Sequence, residues 1–187
     1  MANLHKFDLQ TLPAMAWKNG GGVTRELAVS PTDGDWNWRM SVAEVEASGP
    51  FSRFEGIDRW FAVLEGAGVQ LDVQGKTHRL TQASAPFYFD GGESTQCTLV
   101  DGRTQDFNLM VLRGSTPARM LRIHSSKNFV VDAPKIIAVF ALKTEATVQF
   151  DSKSARVPPQ SLAWASVPAG TRVEVVSENA LWMEIPL

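Results

Sequence analysis

The stretch from Trp38 to Leu71 constrains the fold more than any other part of the chain. Residues 38–45 alternate in type, with Arg39 and Ser41 among small residues on one side and mostly larger residues on the other. This period of two is typical of a strand between two different environments. The run Leu64-Glu65-Gly66-Ala67-Gly68-Val69 then predicts a hairpin, because glycine adopts positive φ without strain. Small β-barrels that hold a ligand are built from such parts.

The rest of the chain favours the all-β class. Short strand candidates bounded by turn residues recur, and few windows have the pattern of an amphipathic helix. Residues 7–12 are a candidate edge strand. The second half also echoes the first at an offset of about 76 to 79 residues, as when Val148-Gln149-Phe150-Asp151 follows the pattern of Val69-Gln70-Leu71-Asp72.

This echo predicts two similar antiparallel β-barrels in tandem, packed as one globular unit. We expect residues 1–114 to form the barrel with the chemistry and residues 115–187 to form a structural partner, because the second copy lacks the glycines and arginines of the first. The predicted crossing between the barrels lies near Gly114 to Ala118. Exchange of strands between the halves is compatible with this division.

Charge and cysteine content limit the partners. A net charge of -2 and a pI near 5.9, with scattered Lys and Arg, predict no nucleic-acid partner. Cys97 is the only cysteine, which excludes an intrachain disulfide. The chain shows no secretory signal and no apolar run of about 20 residues, so we expect a cytoplasmic protein with no membrane partner. A homodimer is compatible with these features.

Two polar segments stand out in the first half. Asn19-Gly20-Gly21-Gly22 lies before a short strand, and it is either a bulged turn or a direct ligand contact. Its spacing is not that of a phosphate-binding loop. In the second segment, Asp106, Asn108 and Met110 share one face of a predicted strand. That face either lines a cavity or lies in solvent.

Several motifs together make the chain resemble the HutD/Ves family, bacterial bicupins associated in part with histidine-utilisation operons. The resemblance rests on Trp17-Lys18-Asn19-Gly20-Gly21-Gly22 with Thr24-Arg25-Glu26, Trp38-Arg39-x-Ser41-x-Ala43, Gly49-Pro50-Phe51-Ser52-x-Phe54-x-Gly56-x-Asp58-Arg59 leading to Leu64-Glu65-Gly66, and Asp106-x-Asn108-x-Met110. The intact triple glycine makes the chain more similar to HutD than to Ves. The resemblance implies two cupin-type barrels, a pocket in the N-terminal one and no established catalytic activity. It also implies a role in sensing or limiting histidine catabolism by binding a small pathway acid.

The sequence argues against a metal. Cupin enzymes hold a metal with histidines and a glutamate, which suit iron, manganese, nickel or zinc. Here the matching positions fall around Ser52 to Glu55, at Arg59 and at Ser94, and none is histidine. Glu55, Asp58 and Asp106 are candidates for an oxygen site, but nearby arginines make a cation costly there. We therefore expect no metal and no other cofactor.

The arginines of the first half point instead to an acid. A guanidinium is always charged and matches a carboxylate with a planar fork, so an inward arginine among small and aromatic side chains suits an acidic ligand. The alternative is that each arginine pairs with a nearby Glu or Asp to tie loops together. We expect this tying role for Arg53. For Arg39, in mid-strand, and Arg59, at the end of the capping loop, the pocket is favoured.

The predicted ligand-binding residues are Asn19, Arg25, Arg39, Ser41, Phe51, Arg59, Asp106 and Asn108. In this arrangement Arg39 and Arg59 hold the carboxylate, while Asn108 and Asp106 contact the other end of the ligand. We assign no catalytic residue. The favoured function is binding of a small carboxylate such as urocanate, formylglutamate or formate, which modulates histidine utilisation. The alternative is a metal-independent isomerase or hydrolase that uses Asp106 or Glu55 as a base.

Overall fold

The computed structural model describes residues 3–114 and 117–187. It confirms an all-β fold, in which helix is limited among these residues to one 3-10 turn, Leu9–Thr11. The strands up to residue 114 are β1 (His5–Asp8), β2 (Met15–Ala16), β3 (Gly22–Ser30), β4 (Trp38–Val45), β5 (Gly49–Pro50), β6 (Ile57–Glu65), β7 (Val69–Val73), β8 (Lys76–Leu80), β9 (Phe87–Asp90), β10 (Thr95–Leu99) and β11 (Thr104–Leu112). Those after it are β12 (Arg119–Ile123), β13 (Lys127–Val130), β14 (Lys135–Ala141), β15 (Ala146–Phe150), β16 (Lys153–Val157), β17 (Ser161–Val167), β18 (Arg172–Val176) and β19 (Ala180–Pro186). No helix of the described chain has the length and apolar character that crossing a bilayer requires.

The chain divides into two compact units. The first unit contains residues 12–114, and the second contains residues 117–187 together with 3–11. Strand β1 pairs with β17, so this N-terminal segment belongs to the second unit and not to the first half, where the sequence analysis placed it. Its pairing satisfies backbone groups along the free edge of β17. The predicted crossing near Gly114 to Ala118 falls partly on residues 115–116, outside the described residues.

The first unit consists of two antiparallel sheets. One has the strand order β2-β3-β4-β11-β6-β9, and the other has the order β5-β10-β7-β8. Both are open sheets with free edges among the described residues, so the predicted closed barrels are not seen. Apolar side chains from the facing surfaces form a core that includes Val45, Phe61 and Val63 from the larger sheet and Leu71 and Cys97 from the smaller one.

The second unit repeats this strand order. Its sheets run β1-β17-β14-β19-β12 and β13-β18-β15-β16. Apart from the additional edge strands β1, β2 and β3, each strand of the second unit has its counterpart in the same place in the first. The internal repeat predicted from the sequence is therefore confirmed at the level of strand order.

The predicted hairpin at residues 64–69 is wrong. Strand β6 pairs with β11 and β9, whereas β7 pairs with β10 and β8, so the turn carries the chain from one sheet to the other. Gly66 and Gly68 both have positive φ, and a Cβ on either would collide with a backbone carbonyl of Arg103 or Leu80. The glycines allow a close backbone approach at the sheet change, which has the same sequence signature as a hairpin turn.

Candidate functional site

A cavity of about 520 Å³ lies within the first unit. Its walls come from β4, β6 and β11, which are neighbours in the larger sheet. They also come from residues 15–19, which are β2 and the turn after it, and from residues 50–54, which are the end of β5 and the loop after it. Because side chains alternate across a strand, residues directly opposite each other on neighbouring strands share one face. Ser41 lies opposite Asn108, and Asn108 lies opposite Phe61, so these three side chains face the cavity together.

Arg59 is the most buried cation of the cavity. It lies within β6, with 6% of its surface exposed, and not at the end of the loop where the sequence analysis placed it. Its Nη2 donates a 2.9 Å hydrogen bond to Asn108 Oδ1, and its Nη1 lies 3.4 Å from the Ser52 carbonyl oxygen. Its Nε has no hydrogen-bond partner. The rings of Phe51 and Phe89 lie 5.2 and 4.9 Å from its Cζ, within the range of cation–π attraction.

The surroundings of Arg59 make its charge costly. Burial, assisted by repulsion from Arg39, lowers the pKa of Arg59 to about 10. A group with this pKa still carries its proton near neutral pH. No carboxylate forms an ion pair with Arg59 in the part of the chain that the structure describes. The cavity wall therefore holds a buried positive charge without a negative partner.

Arg39 is the second cation of the wall. It lies in β4, on the face shared with Ser41 as the sequence predicted, and it lines the cavity. Its Nε is 2.9 Å from Glu26 Oε2 but makes no hydrogen bond, because the two groups are poorly aligned. The Glu26 side chain is itself 35% exposed, so solvent weakens this pair. Glu26 therefore neutralises Arg39 only in part.

The triple glycine forms a turn at the cavity mouth. Gly20 N–H donates to the Trp17 carbonyl, and Gly21 N–H donates to Asn19 Oδ1, at 3.0 Å each. A Cβ on Gly22 would collide with the Glu44 carbonyl oxygen, so glycine lets β3 pack against β4 at this point. The backbone of the triple glycine therefore forms the predicted turn. The same turn places Asn19 and Lys18 in the lining of the cavity.

Six of the eight predicted site residues come together in this lining: Asn19, Arg39, Ser41, Phe51, Arg59 and Asn108. Arg25 is not among them, because it lies on the opposite face of β3 and forms an ion pair with Glu44. The neighbouring Thr24 lines the cavity instead and accepts a 2.7 Å hydrogen bond from Trp17 Nε1. Arg25 belongs to the motif, but its position on β3 directs its side chain away from the cavity.

Asp106 shares the face of Asn108 but does not line the cavity. It has no exposed surface and lies opposite Ala43 and Val63, both of which belong to the core. Its Oδ2 accepts a 2.6 Å hydrogen bond from Thr104 Oγ1, and its Oδ1 has no partner. Burial raises the pKa of Asp106 to about 7. The expected direct contact between Asp106 and a ligand therefore has no counterpart in this geometry.

The cavity lining also contains residues that were not predicted from the sequence. Lys18 adds a third cation to the lining, and Ser52 contributes the carbonyl near Arg59. Both residues lie within the motifs described above, so their membership of a motif could have identified them. Phe54 and Met110 add apolar wall.

The remaining candidate groups are placed elsewhere. Arg53 ties a loop, because its Nε donates to the Gly92 carbonyl and its Nη2 to Glu55, as predicted. Cys97 is buried, and burial together with the charge of Asp106 raises the pKa of its thiol to about 12. In residues 3–114 and 117–187, no three His, Cys, Asp or Glu side chains form a group that could hold a metal ion.

The cavity lining has an unbalanced charge. It contains three cationic side chains, from Lys18, Arg39 and Arg59, and none of its residues is Asp, Glu, His or Cys. The described walls therefore attract anions but carry no side chain that exchanges a proton near neutral pH.

Known proteins are similar to this chain in sequence and in fold. A 21.2 kDa protein in the hutC 3' region of Pseudomonas putida is 36% identical over 139 residues, which cover 70% of this chain and 73% of the relative. Protein Ves of Citrobacter koseri is 37% identical over 117 residues, which cover 61% of each chain. Among solved structures, HutD from Pseudomonas fluorescens SBW25, determined in a formate condition, has a TM-score of 0.87 at 28% identity and covers 98% of both chains.

A more distant structure shares the fold alone. YlbA from Escherichia coli has a TM-score of 0.75 at 12% identity, and it covers 99% of this chain and 91% of its own. This likeness supports the all-β fold alone. The model of the HutD family matches residues 9–183, nearly the whole chain and the complete cavity lining. This protein belongs to the HutD family.

Proposed function

We propose that this protein binds a small carboxylate in the cavity of the first unit and thereby modulates histidine utilisation, without catalysing a reaction. One observation carries the proposal. The guanidinium of Arg59 is buried at the cavity wall, keeps an unsatisfied Nε and has no carboxylate partner among the described residues. Membership of the HutD family and the relative in the hutC 3' region support the link to histidine utilisation.

The energetics of Arg59 favour an anionic ligand. Moving a guanidinium out of water costs several kcal/mol unless hydrogen bonds and an opposite charge compensate. Asn108 and the Ser52 carbonyl provide hydrogen bonds but no negative charge. A carboxylate supplies the charge, and its two oxygens match the fork of a guanidinium. A bound carboxylate would therefore compensate for the hydration that the Arg59 guanidinium loses on folding.

The other lining residues suit the same ligand. Arg39 provides a second guanidinium, while Ser41 and Asn108, the neighbouring cross-strand pair on the same face, provide a hydroxyl and an amide. Phe51 provides an apolar wall. At the mouth, Asn19 has an amide that can contact the far end of a longer acid. The volume of about 520 Å³ lies within the range of small-molecule sites, roughly 300–1,000 Å³.

The candidate ligands are urocanate, formylglutamate and formate. All three carry a carboxylate, and the two larger ones carry an imidazole or a formyl amide that suits the Asn19 and Asn108 side chains. The HutD structure from Pseudomonas fluorescens, obtained in a formate condition, makes formate a natural first probe.

The enzymatic alternative rests on one observation. Asp106 has a pKa near 7, which is suitable for a general base. However, Asp106 has no exposed surface and does not line the cavity. Glu55 is 80% exposed and paired with Arg53. Ligand binding without chemistry is therefore the proposal that this geometry supports better.

Calorimetry and thermal melting with the three acids test the proposal. A one-site ligand at 100 times its dissociation constant adds about 2.7 kcal/mol to the free energy of unfolding, which raises the melting temperature measurably. We expect Arg59→Ala and Arg39→Ala each to weaken binding by tens-fold or more, because each removes a charged partner from a buried site. Arg59→Lys should restore only part of the affinity, since an ammonium group lacks the planar fork.

Two matched arginine variants serve as controls. Arg53→Ala removes an exposed arginine of the same unit, and Arg119→Ala removes an exposed arginine of the second unit. Both should keep wild-type affinity. Wild-type affinity in the Arg59 and Arg39 variants, or an equal loss in a control, would place the site elsewhere. Turnover of any bound acid by the wild type would favour the enzymatic alternative.

The remaining expectations stay predictions. They are a cytoplasmic location, the absence of a nucleic-acid, membrane, metal or cofactor partner, and a homodimer. Elemental analysis of the purified protein and light scattering at several concentrations test the metal content and the oligomeric state.

A further inference from the structure

Asp106 is a buried carboxyl group that the proposed binding site does not use. It lies on β11 two residues before Asn108, on the same face, and none of its surface is exposed. Thr104 donates to one of its oxygens, and the other has no partner. Two residues along a strand span about 7 Å. The carboxyl group therefore lies beside Asn108, along the same face of β11, and close to the hydrogen bond between Asn108 and Arg59.

The groups that face Asp106 leave its charge uncompensated. Cys97 of β10 faces it with a thiol whose own pKa is raised, so the thiol is neutral. The directly opposite residues of β4 and β6, Ala43 and Val63, are apolar, as is Leu71 of β7 in the same core. The charged groups on the same face, Arg39 and Arg59, lie further along β4 and β6. Neither forms an ion pair with Asp106 in the described chain.

We propose that Asp106 takes up a proton from solvent when an anion binds in the cavity, so that the protonated protein is the form that binds tightly. The proposal rests on the proposed function, because it needs an anion next to Arg59. The proton adds to Oδ1, the oxygen without a partner, while Oδ2 keeps the hydrogen bond from Thr104. No other bond forms or breaks.

The physical cause is repulsion between two negative charges. A carboxylate bound beside Asn108 and an ionised Asp106 would lie roughly 7–10 Å apart, because two residues along a strand span about 7 Å. At an effective dielectric constant of about 20, this repulsion changes the affinity by a factor of roughly 15 to 50. Because burial brings the pKa of Asp106 to about 7, the group changes its charge within the physiological range. Binding should therefore weaken as the pH rises through this range.

A formate titration followed by NMR tests the coupling. The dissociation constant is measured at intervals from about pH 5.5 to about pH 8.5 at constant ionic strength; formate itself titrates well below this range. We expect the wild type to bind formate about tenfold more weakly at the upper end. Asp106→Asn, which holds a neutral group of the same shape, should bind tightly at every pH. The carboxyl carbon signal of Asp106 should show proton uptake on formate binding.

Two further variants separate titration of Asp106 from a structural effect. Thr104→Val removes the hydrogen bond that stabilises the ionised carboxylate, so the midpoint of the pH dependence should move to higher pH. His78→Gln removes a histidine of the same unit and should leave the midpoint unchanged. If Asp106→Asn does not fold, the Thr104→Val midpoint still decides the question.

The outcomes of the titration are distinguishable. Formate binding that is independent of pH in the wild type, or a Thr104→Val midpoint equal to that of the wild type, overturns the coupling and leaves the proposed function in place. Failure of formate, urocanate and formylglutamate to bind at any pH overturns the proposed function and the coupling with it.

Discussion

The two units have the same strand order but different interiors. Asp106 lies opposite Val63 in the first unit, and Trp182 lies opposite Val139 at the matching place in the second. The Trp182 ring is fully buried and meets the Phe129 ring edge-on, with 5.0 Å between the ring centroids. The second unit therefore fills with an aromatic side chain a position that the first unit gives to a carboxyl group.

A second matched pair shows why the polar groups differ in role. Arg59 and Asn108 in the first unit correspond in strand pairing to Lys135 and Glu184 in the second. Lys135 Nζ lies 3.1 Å from Glu184 Oε2, so this pair neutralises itself. Arg59 bonds to a neutral amide and keeps its charge uncompensated. At these matched positions the second unit therefore has a neutralised ion pair, whereas the first has a cation bonded to a neutral amide.

The largest expected effect concerns the filled interior. Trp182→Ala should lower the free energy of unfolding by about 3–5 kcal/mol, because it leaves a large cavity among fully buried residues. Urea denaturation measures the loss, and formate affinity should be unchanged. A loss below about 1 kcal/mol would mean that the buried Trp182 side chain contributes little to the stability of the second unit.

The next effect concerns the carboxyl group at the corresponding place. The folded-state pKa of Asp106, about 7, lies above its ordinary value of 3.8. Between these two values the folded state holds a proton that the unfolded state has released, so stability falls as the pH rises through this window. Raising the pH from about 5 to about 8 should therefore lower the free energy of unfolding by about 2–3 kcal/mol, through the ionisation of Asp106.

Urea denaturation of the wild type and of Asp106→Asn at both pH values checks this. The variant removes the titrating group and should lose this part of the pH dependence. Equal pH dependence in the two proteins would mean that Asp106 ionises normally in the folded state.

A smaller effect concerns the turn between the sheets. Gly68 has a φ of 110°, and an added Cβ would collide with the Leu80 carbonyl, so Gly68→Ala should cost about 2 kcal/mol or more. Gly75 has a φ of 74° with nothing within 4 Å of an added Cβ, so Gly75→Ala should cost about 1 kcal/mol. Chemical denaturation measures the free energy of unfolding of both variants. Equal losses would mean that the close approach to the Leu80 carbonyl does not explain why residue 68 is glycine. The matching turn of the second unit, residues 142–145, contains no glycine.

The smallest effect concerns Arg25. Its ion pair with Glu44 is partly exposed, so Arg25→Ala should lower the free energy of unfolding by about 0.2–1 kcal/mol. Formate affinity should equal that of the wild type, because Arg25 lies on the face away from the cavity. Calorimetry checks this, and a tens-fold loss of affinity would return Arg25 to the site.

The all-β class, the repeated strand order and most of the polar side chains that line the cavity could be predicted from the residue pattern alone. Strand alternation is a local property, so the shared face of Arg39 and Ser41, and that of Asp106 and Asn108, were readable from residue spacing. The same alternation explains why Arg25 does not line the cavity. A motif groups residues by position along the chain, whereas a strand sends neighbouring side chains to opposite faces.

The pairing of the strands and the burial of each polar group depend on the tertiary structure. The glycines at 66 and 68 have the same local conformational freedom in a hairpin as in a change of sheet, so pairing with distant strands settles which one forms. Asp106 and Asn108 have the same parity, yet one is enclosed by Ala43 and Val63 and the other reaches the cavity. Depth depends on the side chains that neighbouring strands and the second sheet supply, and these come from distant parts of the chain.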